Sequence, residues 1–376
     1  MDIDCIPTPA FLVDLDRVTT NAAMACRRAT ELGVRLRPHA KTHKCVELAR
    51  LQTEPAAPCL TVSTLAEAAR FAEAGFRDIC WALPLAACHV DSALEVARSC
   101  TLAVLADHPQ TVATIQRRAA ARSQIISVWL KVDCGYHRAG IAPRLADARE
   151  LANRLHDGPG TRFAGLLAHA GHSYHARRPT DITRVAREER DRTVNLAHAL
   201  RETGTAVPAV SIGSTPTLVG VDHLDGVDEI RPGNYLFFDR SQAAIGSCTL
   251  DDVAVTVSTT VIGRYPERCT AILDAGALAL SKDPGEGCVD FGDVLDLDGT
   301  PLPGLHLTSL SQEHGKLVAD PGIPLPALHR QLRIRPNHSC LSAALFSEYH
   351  IHRAGHVVDV WHPVRGWTAA HARRGA

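Results

Sequence analysis

The chain has 376 residues, of which 45% are hydrophobic and 22% are charged, and its formal net charge is -1. This balance is typical of a soluble protein with one large and one smaller domain, and it does not favour a nucleic-acid or anionic membrane partner. No apolar run approaches the roughly 20 residues of a membrane span, and the first residues lack the basic and apolar regions of a signal peptide. The 12 cysteines have no paired spacing, so we expect reduced thiols in a cytoplasmic protein.

Strands and helices alternate through the first two thirds of the sequence. A strand is predicted over residues 10–15 and a helix over 17–32. Eight further strands are predicted around Leu36, Leu60, Ile79, Ala103, Val128, Leu166, Val210 and Ile230. The intervening helices include one that begins at a Thr64-Leu65-Ala66-Glu67 capping box, and others over 109–121, 142–155 and 181–203. This alternation predicts an α/β fold, a closed (β/α)8 TIM barrel over residues 17–245. An open doubly wound sheet is the competing interpretation, weakened by the lack of a Gly-x-Gly-x-x-Gly motif after the first strand.

The sequence changes character after residue 245. Helical spacing becomes scarce, Pro and Gly become frequent, and strands are predicted over 253–263, 270–274, 305–310, 332–335 and 357–361. We therefore expect a second, mainly β domain made of residues 1–16 and 246–376, which includes the early strand over 10–15.

Lys41 is the first residue with predicted chemistry. Residues 34–41 alternate apolar and polar side chains as a strand does, which places Lys41 at the carboxyl end of a strand, where α/β proteins keep their active sites. Thr42 is expected to cap the helix that follows. The chain contains only five lysines among its 40 basic residues, and lysine, unlike arginine, can lose its proton and form an imine. The alternative is a solvated lysine at the start of a helix.

The loops after the last two barrel strands have the composition of a phosphate site. Gly213-Ser214-Thr215 follows the seventh strand, and Gly233-Asn234 follows the eighth. Loops at these positions commonly bind phosphate in TIM barrels, although Gly, Ser and Thr are also common in ordinary turns. An imine-forming lysine together with a monophosphate site suggests pyridoxal phosphate as the cofactor.

A second candidate site lies in the predicted β domain, at Pro336-Asn337-His338-Ser339-Cys340. On an extended strand, residues i and i+2 share a face, so His338 and Cys340 can bind one metal ion, most naturally zinc. The alternative is a histidine and a cysteine that simply pack in the domain, and His43-Lys44-Cys45 has the same spacing.

Several of these motifs together resemble one family. They are Pro38-His39-Ala40-Lys41-Thr42, the stretch from Asp133 to Gly140, His169-Ala170-Gly171-His172-Ser173-Tyr174, the stretch from Ser211 to Thr217, and Arg231-Pro232-Gly233-Asn234-Tyr235. In this order they resemble the alanine-racemase-like (fold type III) pyridoxal-phosphate enzymes. More closely, they resemble the branch of D-serine dehydratase, D-threo-3-hydroxyaspartate dehydratase and D-threonine aldolase. The resemblance runs from about Thr8 to Trp367.

The resemblance implies a role for individual residues. It assigns the Schiff base to Lys41 and places His169 and Tyr174 beside the cofactor. The phosphate is assigned to Ser214, Thr215, Gly233 and Asn234, and the pyridine nitrogen to Arg231. Candidate catalytic residues are Lys41, Tyr174 and Arg138, and the candidate metal ligands are His338 and Cys340. A cysteine rather than an aspartate in the metal pair indicates the zinc-dependent dehydratases, whereas manganese or magnesium is typical of the aldolases.

The resemblance also implies a reaction. A lyase of this branch eliminates water and ammonia from a D-3-hydroxy amino acid, such as D-serine or D-threo-3-hydroxyaspartate, and yields a 2-oxo acid. Lys41 is expected to remove the α-proton and zinc to assist departure of the 3-hydroxyl, which requires the β domain to bring the metal near Lys41. Two alternatives stay open, D-threonine-type aldol cleavage to glycine and an aldehyde, and a non-catalytic pyridoxal-phosphate carrier. The expected partners are a small-molecule substrate and, as in a homodimer, a second copy of the chain, with no nucleic acid or membrane.

Overall fold

The computed structural model describes residues 1–53 and 58–368. Its strands, in chain order, are β1 (Ala10–Asp14), β2 (Arg35–Leu36), β3 (Cys59–Val62), β4 (Asp78–Pro84), β5 (Thr101–Ala106), β6 (Ile126–Lys131), β7 (Thr161–Leu167), β8 (Val210–Ile212), β9 (Glu229–Ile230), β10 (Val255–Tyr265), β11 (Thr270–Leu273), β12 (Asp293–Leu295), β13 (Pro301–Leu310), β14 (Gly315–Ala319), β15 (Gln331–Arg335), β16 (Tyr349–Arg353) and β17 (His356–Trp361).

The α-helices connect these strands. They are α1 (Leu15–Glu31), α2 (Val46–Gln52), α3 (Leu65–Glu73), α4 (Val90–Val96), α5 (Pro109–Ala120), α6 (Leu145–Asp157), α7 (Pro179–Glu202), α8 (Thr215–Gly220), α9 (Arg240–Ala244), α10 (Ala277–Leu280) and α11 (Ser339–Ala344). Within the described ranges, no helix combines the length and the apolar character that crossing a bilayer requires.

The chain forms two compact units. The β unit consists of Met1–Met24 and Asn234–Pro363, and the described part of the barrel unit consists of residues 25–53, 58–233 and 364–368. The sequence placed the two divisions after residues 16 and 245, whereas the compact units divide within α1 and immediately before Asn234.

The barrel unit contains one sheet of eight parallel strands, in the order β2-β9-β8-β7-β6-β5-β4-β3. Its two outer strands meet where the chain after β2 runs beside β3, because the Thr61 N–H donates to the Pro38 carbonyl at 2.8 Å and a bridge joins His39 to Thr61. This contact closes the sheet, which confirms the predicted barrel, and each of the eight strands contains or adjoins a residue that the sequence proposed as its centre. Most of the strand residues are buried, as expected for parallel strands covered by helices, although Arg35 of β2 and the end of β4 are exposed.

The helix after β3 shows how closely local sequence fixes local structure. Thr64 caps α3, since its hydroxyl accepts a hydrogen bond from the Glu67 N–H at 3.1 Å. The Glu67 carboxylate reaches back to the Ser63 N–H at 2.9 Å rather than to the Thr64 N–H. The capping signal therefore predicted the helix start correctly, with one partner shifted by a residue.

The β unit contains nine strands in the order β11-β14-β13-β12-β15-β10-β1-β16-β17, and β10 also pairs with β11. Because β10 pairs with both β11 and β15, six of these strands form a closed ring. The early strand β1 pairs with β10 and β16, which confirms its expected place in this unit. Phe11 of β1 packs against Phe237, Phe346 and Tyr349 in an aromatic core, with ring centroids 5.0–5.9 Å apart. The sequence did not predict β12, β14 or β16.

Candidate active site

Lys41 lies in a short 3-10 turn, Ala40–Thr42, that follows the closing contact of the barrel. Its position at the carboxyl end of the barrel strands agrees with the prediction, but the strand itself is shorter than predicted and its ladder covers only Arg35–Leu36. The prediction that Thr42 caps the next helix is wrong. Helix α2 begins at Val46 with Cys45 as its N-cap, and the Cys45 N–H donates to the His43 ring at 3.0 Å. The turn therefore separates Lys41 from the helix.

Two neutral imidazoles accompany Lys41. The pKa values of His39 and His169 are held well below the ordinary range, first by burial and then by the positive charge of Lys41. His169 also donates from Nδ1 to the Gly213 carbonyl at 3.1 Å, so its Nε2 carries the lone pair. The two imidazoles beside Lys41 can therefore pack against a ligand or accept a hydrogen bond from it, and they add no positive charge.

Arg231 is held rigidly inside the barrel unit. It is 5% exposed, and its two terminal nitrogens donate to the Ser211 hydroxyl and to the Ala168 carbonyl. The Ser211 hydroxyl in turn donates to Glu229 Oε1 at 2.6 Å. Burial lowers the pKa of Arg231, although Cys80 and Glu229 oppose this effect. The guanidinium position is thus fixed by the protein before any ligand binds.

The network continues to a buried ion pair that the sequence analysis missed. Glu229 Oε2 accepts from Arg37 Nε at 2.8 Å, and Arg37 binds both oxygens of Asp78 at 2.8 Å. Burial alone would raise the pKa of Glu229, but the charge of Arg37 and the bonds from Ser211 and Arg35 lower it to about 2. Arg37 belongs to the same alternating stretch as Lys41, so the pattern of arginines there was the available signal.

The Gly213-Ser214-Thr215 loop opens helix α8. Ser214 is the N-cap of this helix, and its hydroxyl accepts from the Thr217 N–H at 3.3 Å and contacts the Ser173 hydroxyl at 3.0 Å. The predicted phosphate ligand Ser214 therefore has a capping function, while the buried Thr215 occupies the first position of the helix. Gly213 adopts a φ of +113°, and a Cβ atom there would collide with Ile230.

The residues of the second predicted phosphate loop, Gly233 and Asn234, belong to different units. A Cβ atom on Gly233 would lie 2.9 Å from the His39 carbonyl oxygen, so this glycine permits close approach of two chain segments. Asn234, in the β unit, donates from its side-chain amide to Asp239 at 2.8 Å and to the Ser339 hydroxyl at 3.1 Å, with Cys340 Sγ at 3.5 Å. The Asn234 side chain therefore contacts the predicted metal-binding segment.

Tyr136 is a candidate that sequence reasoning did not single out. Its ring packs directly on Gly171 and lies 6.3 Å from the His169 ring and 6.0 Å from the His172 ring. The exposed Arg138, a predicted catalytic residue, places its guanidinium 5.0 Å from the Tyr136 ring. Tyr136 thus contacts the loop after β7 from the loop after β6 and lies beside the His169 ring.

Tyr174, the other predicted catalytic residue, is half-buried in the turn Gly171–His175 after β7. His137, also in the loop after β6, is exposed and binds Asp133 at 2.8 Å. Tyr174 and His169 therefore both lie in the loop after β7.

Glu189 of α7 is a further residue that the sequence did not reveal. It is fully buried, and its Oε1 accepts from the Ala170 N–H at 2.7 Å and from the Gly213 N–H at 3.1 Å. Burial raises the pKa of Glu189, although these two bonds oppose the effect. One carboxylate therefore joins the loop that carries His169 to the loop that opens α8.

The residues around Lys41 fit pyridoxal phosphate. The set includes a lysine, neutral imidazoles and the fixed guanidinium of Arg231, which suits an anionic heteroaromatic ligand. In addition, the Thr61 hydroxyl beside His39 is buried without a hydrogen-bond partner among the described residues. A polar ligand in this region would supply that partner.

His338 and Cys340 come together at the start of a helix. His338 is the N-cap of α11 and Cys340 lies in its first turn, so the prediction that they share one face of an extended strand is wrong. The two side chains are nevertheless close enough for Cys340 to raise the pKa of His338. The His338 Nδ1 atom pairs with Asp283 at 2.7 Å, which leaves Nε2 available to a ligand. The other nearby acidic residue in sequence, Glu348, pairs with His350 at 3.3 Å.

The charges near His338 favour a cation. Burial lowers the pKa of His338, but Cys340, Asp239 and Asp283 outweigh it and raise the pKa to about 10. Since a proton and a metal ion compete for the same nitrogen, surroundings that attract the proton also suit a metal. Across residues 1–53 and 58–368, no group of three or more His, Cys, Asp and Glu side chains has the arrangement of a metal site. A metal held by the pair would keep open coordination positions.

Comparisons with known proteins agree with this geometry. The model of the N-terminal domain of alanine racemase matches residues 13–241, and the model described as "Putative serine dehydratase domain" matches residues 254–352. The chain is 39% identical to D-threo-3-hydroxyaspartate dehydratase of Delftia sp. (strain HT23), covering 96% of this chain and 98% of that protein. It is 36% identical to D-serine dehydratase of Dictyostelium discoideum, with 97% and 98% covered. D-threonine aldolase of Arthrobacter sp. is 29% identical, with 95% and 92% covered.

Solved structures of the Delftia enzyme superpose closely. The enzyme itself matches with a TM-score of 0.93 at 38% identity, covering 97% of this chain and 100% of that chain. Two of its mutants replace a histidine by alanine or a cysteine two positions later by alanine, and the cysteine mutant is in a metal-free form. The fold and the site thus define an alanine-racemase-like protein.

The chain belongs to the D-serine dehydratase branch of the alanine-racemase-like family. It is a lyase of this branch, and the family supports pyridoxal phosphate as its cofactor.

Proposed function

We propose that the protein removes water from a D-3-hydroxy amino acid, and that the dehydrated product takes up water again and breaks down to a 2-oxo acid and ammonia. D-threo-3-hydroxyaspartate and D-serine are the substrates suggested by the names of its relatives. The observation that carries the proposal is similarity over almost the whole chain, which is greater for both of these dehydratases than for the Arthrobacter aldolase. The Cys340 ligand supports the same choice, because a thiolate suits zinc better than magnesium or manganese.

Pyridoxal phosphate, when bound, supplies an electron sink that stabilises negative charge at the α-carbon. Lys41 would attach the cofactor and then accept the α-proton of the substrate at its Nζ atom. The neutral His169 would pack beside the cofactor ring, while Arg231 would present its fixed positive charge inside the barrel. Because the Asn234 amide is engaged by Asp239 and Ser339, a phosphate contact from Asn234 would come from its main-chain N–H.

A zinc ion would be held by His338 and Cys340 and would supply Lewis acidity toward the departing hydroxyl. Asp283 would keep His338 in the tautomer that presents Nε2. Two protein ligands are too few for a closed structural zinc site, so we expect the metal to serve the reaction and not the fold.

The product assay tests this function most directly. Purified protein supplied with pyridoxal phosphate and zinc should convert D-threo-3-hydroxyaspartate or D-serine to a 2-oxo acid and ammonia, whereas L-serine serves as the control. Formation of glycine and an aldehyde from D-threonine would favour aldol cleavage instead. No turnover of any of these amino acids would contradict both activities.

A variant tests the assignment of Lys41 independently of turnover. The cofactor-loaded protein should absorb at the edge of the visible range, and Lys41→Ala should abolish this band. Lys44→Ala is the matched control, because Lys44 binds Glu67 at 2.9 Å outside the proposed site. A band that survives in Lys41→Ala would show that another group binds the cofactor.

A further inference from the structure

The β unit contains a cavity of about 330 Å³ that none of the proposed catalytic or metal residues lines. It opens between the start of α1, the turn after β12, and strands β15 and β16. Its ionisable lining side chains are Asp14, Arg17, Asp298, Arg333, Arg335 and His352. All of them belong to one compact unit, so the cavity is a feature of that unit alone.

Positive charge predominates in this cavity. Three guanidinium groups face two carboxylates, and both carboxylates are already engaged. Asp14 accepts from the Arg17 N–H at 3.0 Å and pairs with the Arg17 side chain at 3.5 Å. Asp298 accepts from the Thr300 N–H at 2.8 Å. The lining therefore offers more positive charge than its own carboxylates balance.

Arg333 is the least balanced of these cations. Only 9% of it is exposed, and its bonds go to neutral groups, the Thr256 hydroxyl at 2.9 Å and the Leu297 carbonyl at 3.1 Å. Within the described part of the chain, no carboxylate lies within 4.0 Å of its nitrogens. Burial, followed by the charge of Arg17, lowers the pKa of Arg333 to about 10. A buried cation without an ion pair is unfavourable unless an anion approaches it.

Two unsatisfied polar groups line the same cavity. His352 is 2% exposed, and neither of its ring nitrogens has a hydrogen-bond partner among the residues that the structure describes. The Nε atom of Arg335 is likewise buried without a partner there, although its Nη1 binds Asp293 at 3.0 Å. Each of these two groups has at least one buried N–H donor without an acceptor, which is rare in folded proteins and indicates a missing acceptor.

We propose that this cavity binds a small oxyanion, a carboxylate or a phosphate, through Arg333, Arg335 and His352. Guanidinium groups match the planar oxygens of such anions and bind them with charge-assisted hydrogen bonds. The volume lies at the lower end of the roughly 300–1,000 Å³ typical of small-molecule sites, which suits a compact anion. The anion would neutralise Arg333 and accept from the unsatisfied donors.

Calorimetric titration of the cofactor-loaded protein tests the proposal. Cofactor loading keeps the predicted cofactor phosphate site filled, and sodium chloride holds the ionic strength constant. Inorganic phosphate is the probe in one arm and succinate in the other. We expect saturable binding of at least one anion and a loss of at least tenfold in affinity in Arg333→Met. Arg330→Met is the matched control, since Arg330 is exposed and pairs with Asp296 at 2.8 Å.

The outcomes distinguish a phosphate site, a carboxylate site and the absence of an anion site. Tighter binding of phosphate identifies a phosphate site, and tighter binding of succinate identifies a carboxylate site. Absence of saturable binding in both arms overturns the proposal, as does binding that is equally strong in Arg333→Met. If Arg333→Met fails to fold, His352→Leu removes both ring nitrogens at similar volume and should also weaken binding tenfold or more. Unaltered affinity in a folded His352→Leu protein would likewise refute the assigned site.

Discussion

Replacing Glu189 by alanine should destabilise the protein strongly and weaken binding at the proposed cofactor site. The Glu189 carboxylate accepts two buried main-chain N–H groups, those of Ala170 and Gly213, at 2.7 and 3.1 Å. Alanine would leave both donors without an acceptor, and each buried unsatisfied group costs about 1–3 kcal/mol. We therefore expect the free energy of unfolding to fall by about 2–6 kcal/mol.

Urea unfolding followed by circular dichroism measures this loss, with Glu188→Ala as the matched control. Glu188 neighbours Glu189 on α7, but its side chain is 35% exposed and pairs with Arg184 at 2.8 Å. Its replacement should cost about 0–1 kcal/mol, as for other surface ion pairs. The Glu189→Ala variant should also bind pyridoxal phosphate more weakly, because Ala170 and Gly213 carry the loops next to His169 and Ser214.

Glu189→Gln distinguishes the hydrogen bonds from the charge. Glutamine retains an oxygen acceptor of the same reach, so it should lose clearly less stability than alanine at this position. The reasoning would be refuted by a Glu189→Ala protein whose unfolding free energy stays within about 0.5 kcal/mol of wild type, the range of ordinary surface substitutions.

Three further predictions concern other parts of the two sites. The pKa of Glu229 is depressed to about 2 from an ordinary value of 4.5, so its contribution is present above pH 4.5 and is lost as pH falls toward 2. The wild type should thus lose about 3 kcal/mol more than Glu229→Gln over this interval in acid unfolding, and equal losses would contradict the assignment. Thr215→Val should weaken pyridoxal phosphate binding measured by absorbance titration, by about 1.5–3 kcal/mol if the hydroxyl donates to the phosphate. Unchanged affinity would place the phosphate elsewhere. Asp283→Asn should reduce zinc affinity about 10- to 100-fold in a competition assay with a chelator, whereas Glu348→Gln should leave it unaltered. Equal zinc affinities in the two variants would exclude Asp283 as the residue that orients His338.

The barrel could be predicted because its evidence is local. Most of the parallel strands are short apolar runs, and several helices begin or end at a recognisable residue, as α3 does at Thr64. The predicted helix over 181–203 and the observed Pro179–Glu202 differ only at their ends for the same reason. The strands missed in the β unit are short or carry polar residues, as in Tyr349–Arg353. Their assignment depends on pairing with distant strands, which periodicity does not report.

The residues that support the predicted sites could not be found in the same way. Glu189 reaches a main-chain N–H group 24 residues away, and Arg37 meets Glu229 across 192 residues. Neither carboxylate belongs to a motif, and each looks like an ordinary acidic residue in a helix or strand. Only the fold brings them to their partners. The resemblance to a known family identified Lys41 and Arg231 as candidate site residues. It gave no information on the groups that hold these two side chains in place.

The pair His338 and Cys340 shows what a spacing does and does not determine. Two residues separated by one position have nearby Cα atoms in almost any backbone conformation, so their side chains can meet on a strand or at a helix start. The spacing therefore predicted the contact while the inferred strand was wrong, since His338 caps α11. The third participant, Asp283, lies 55 residues earlier in the chain, and no short motif includes it. A two-residue motif thus proposes where a metal could bind, whereas the affinity and the choice of nitrogen at such a site would depend on a carboxylate that only the folded β unit supplies.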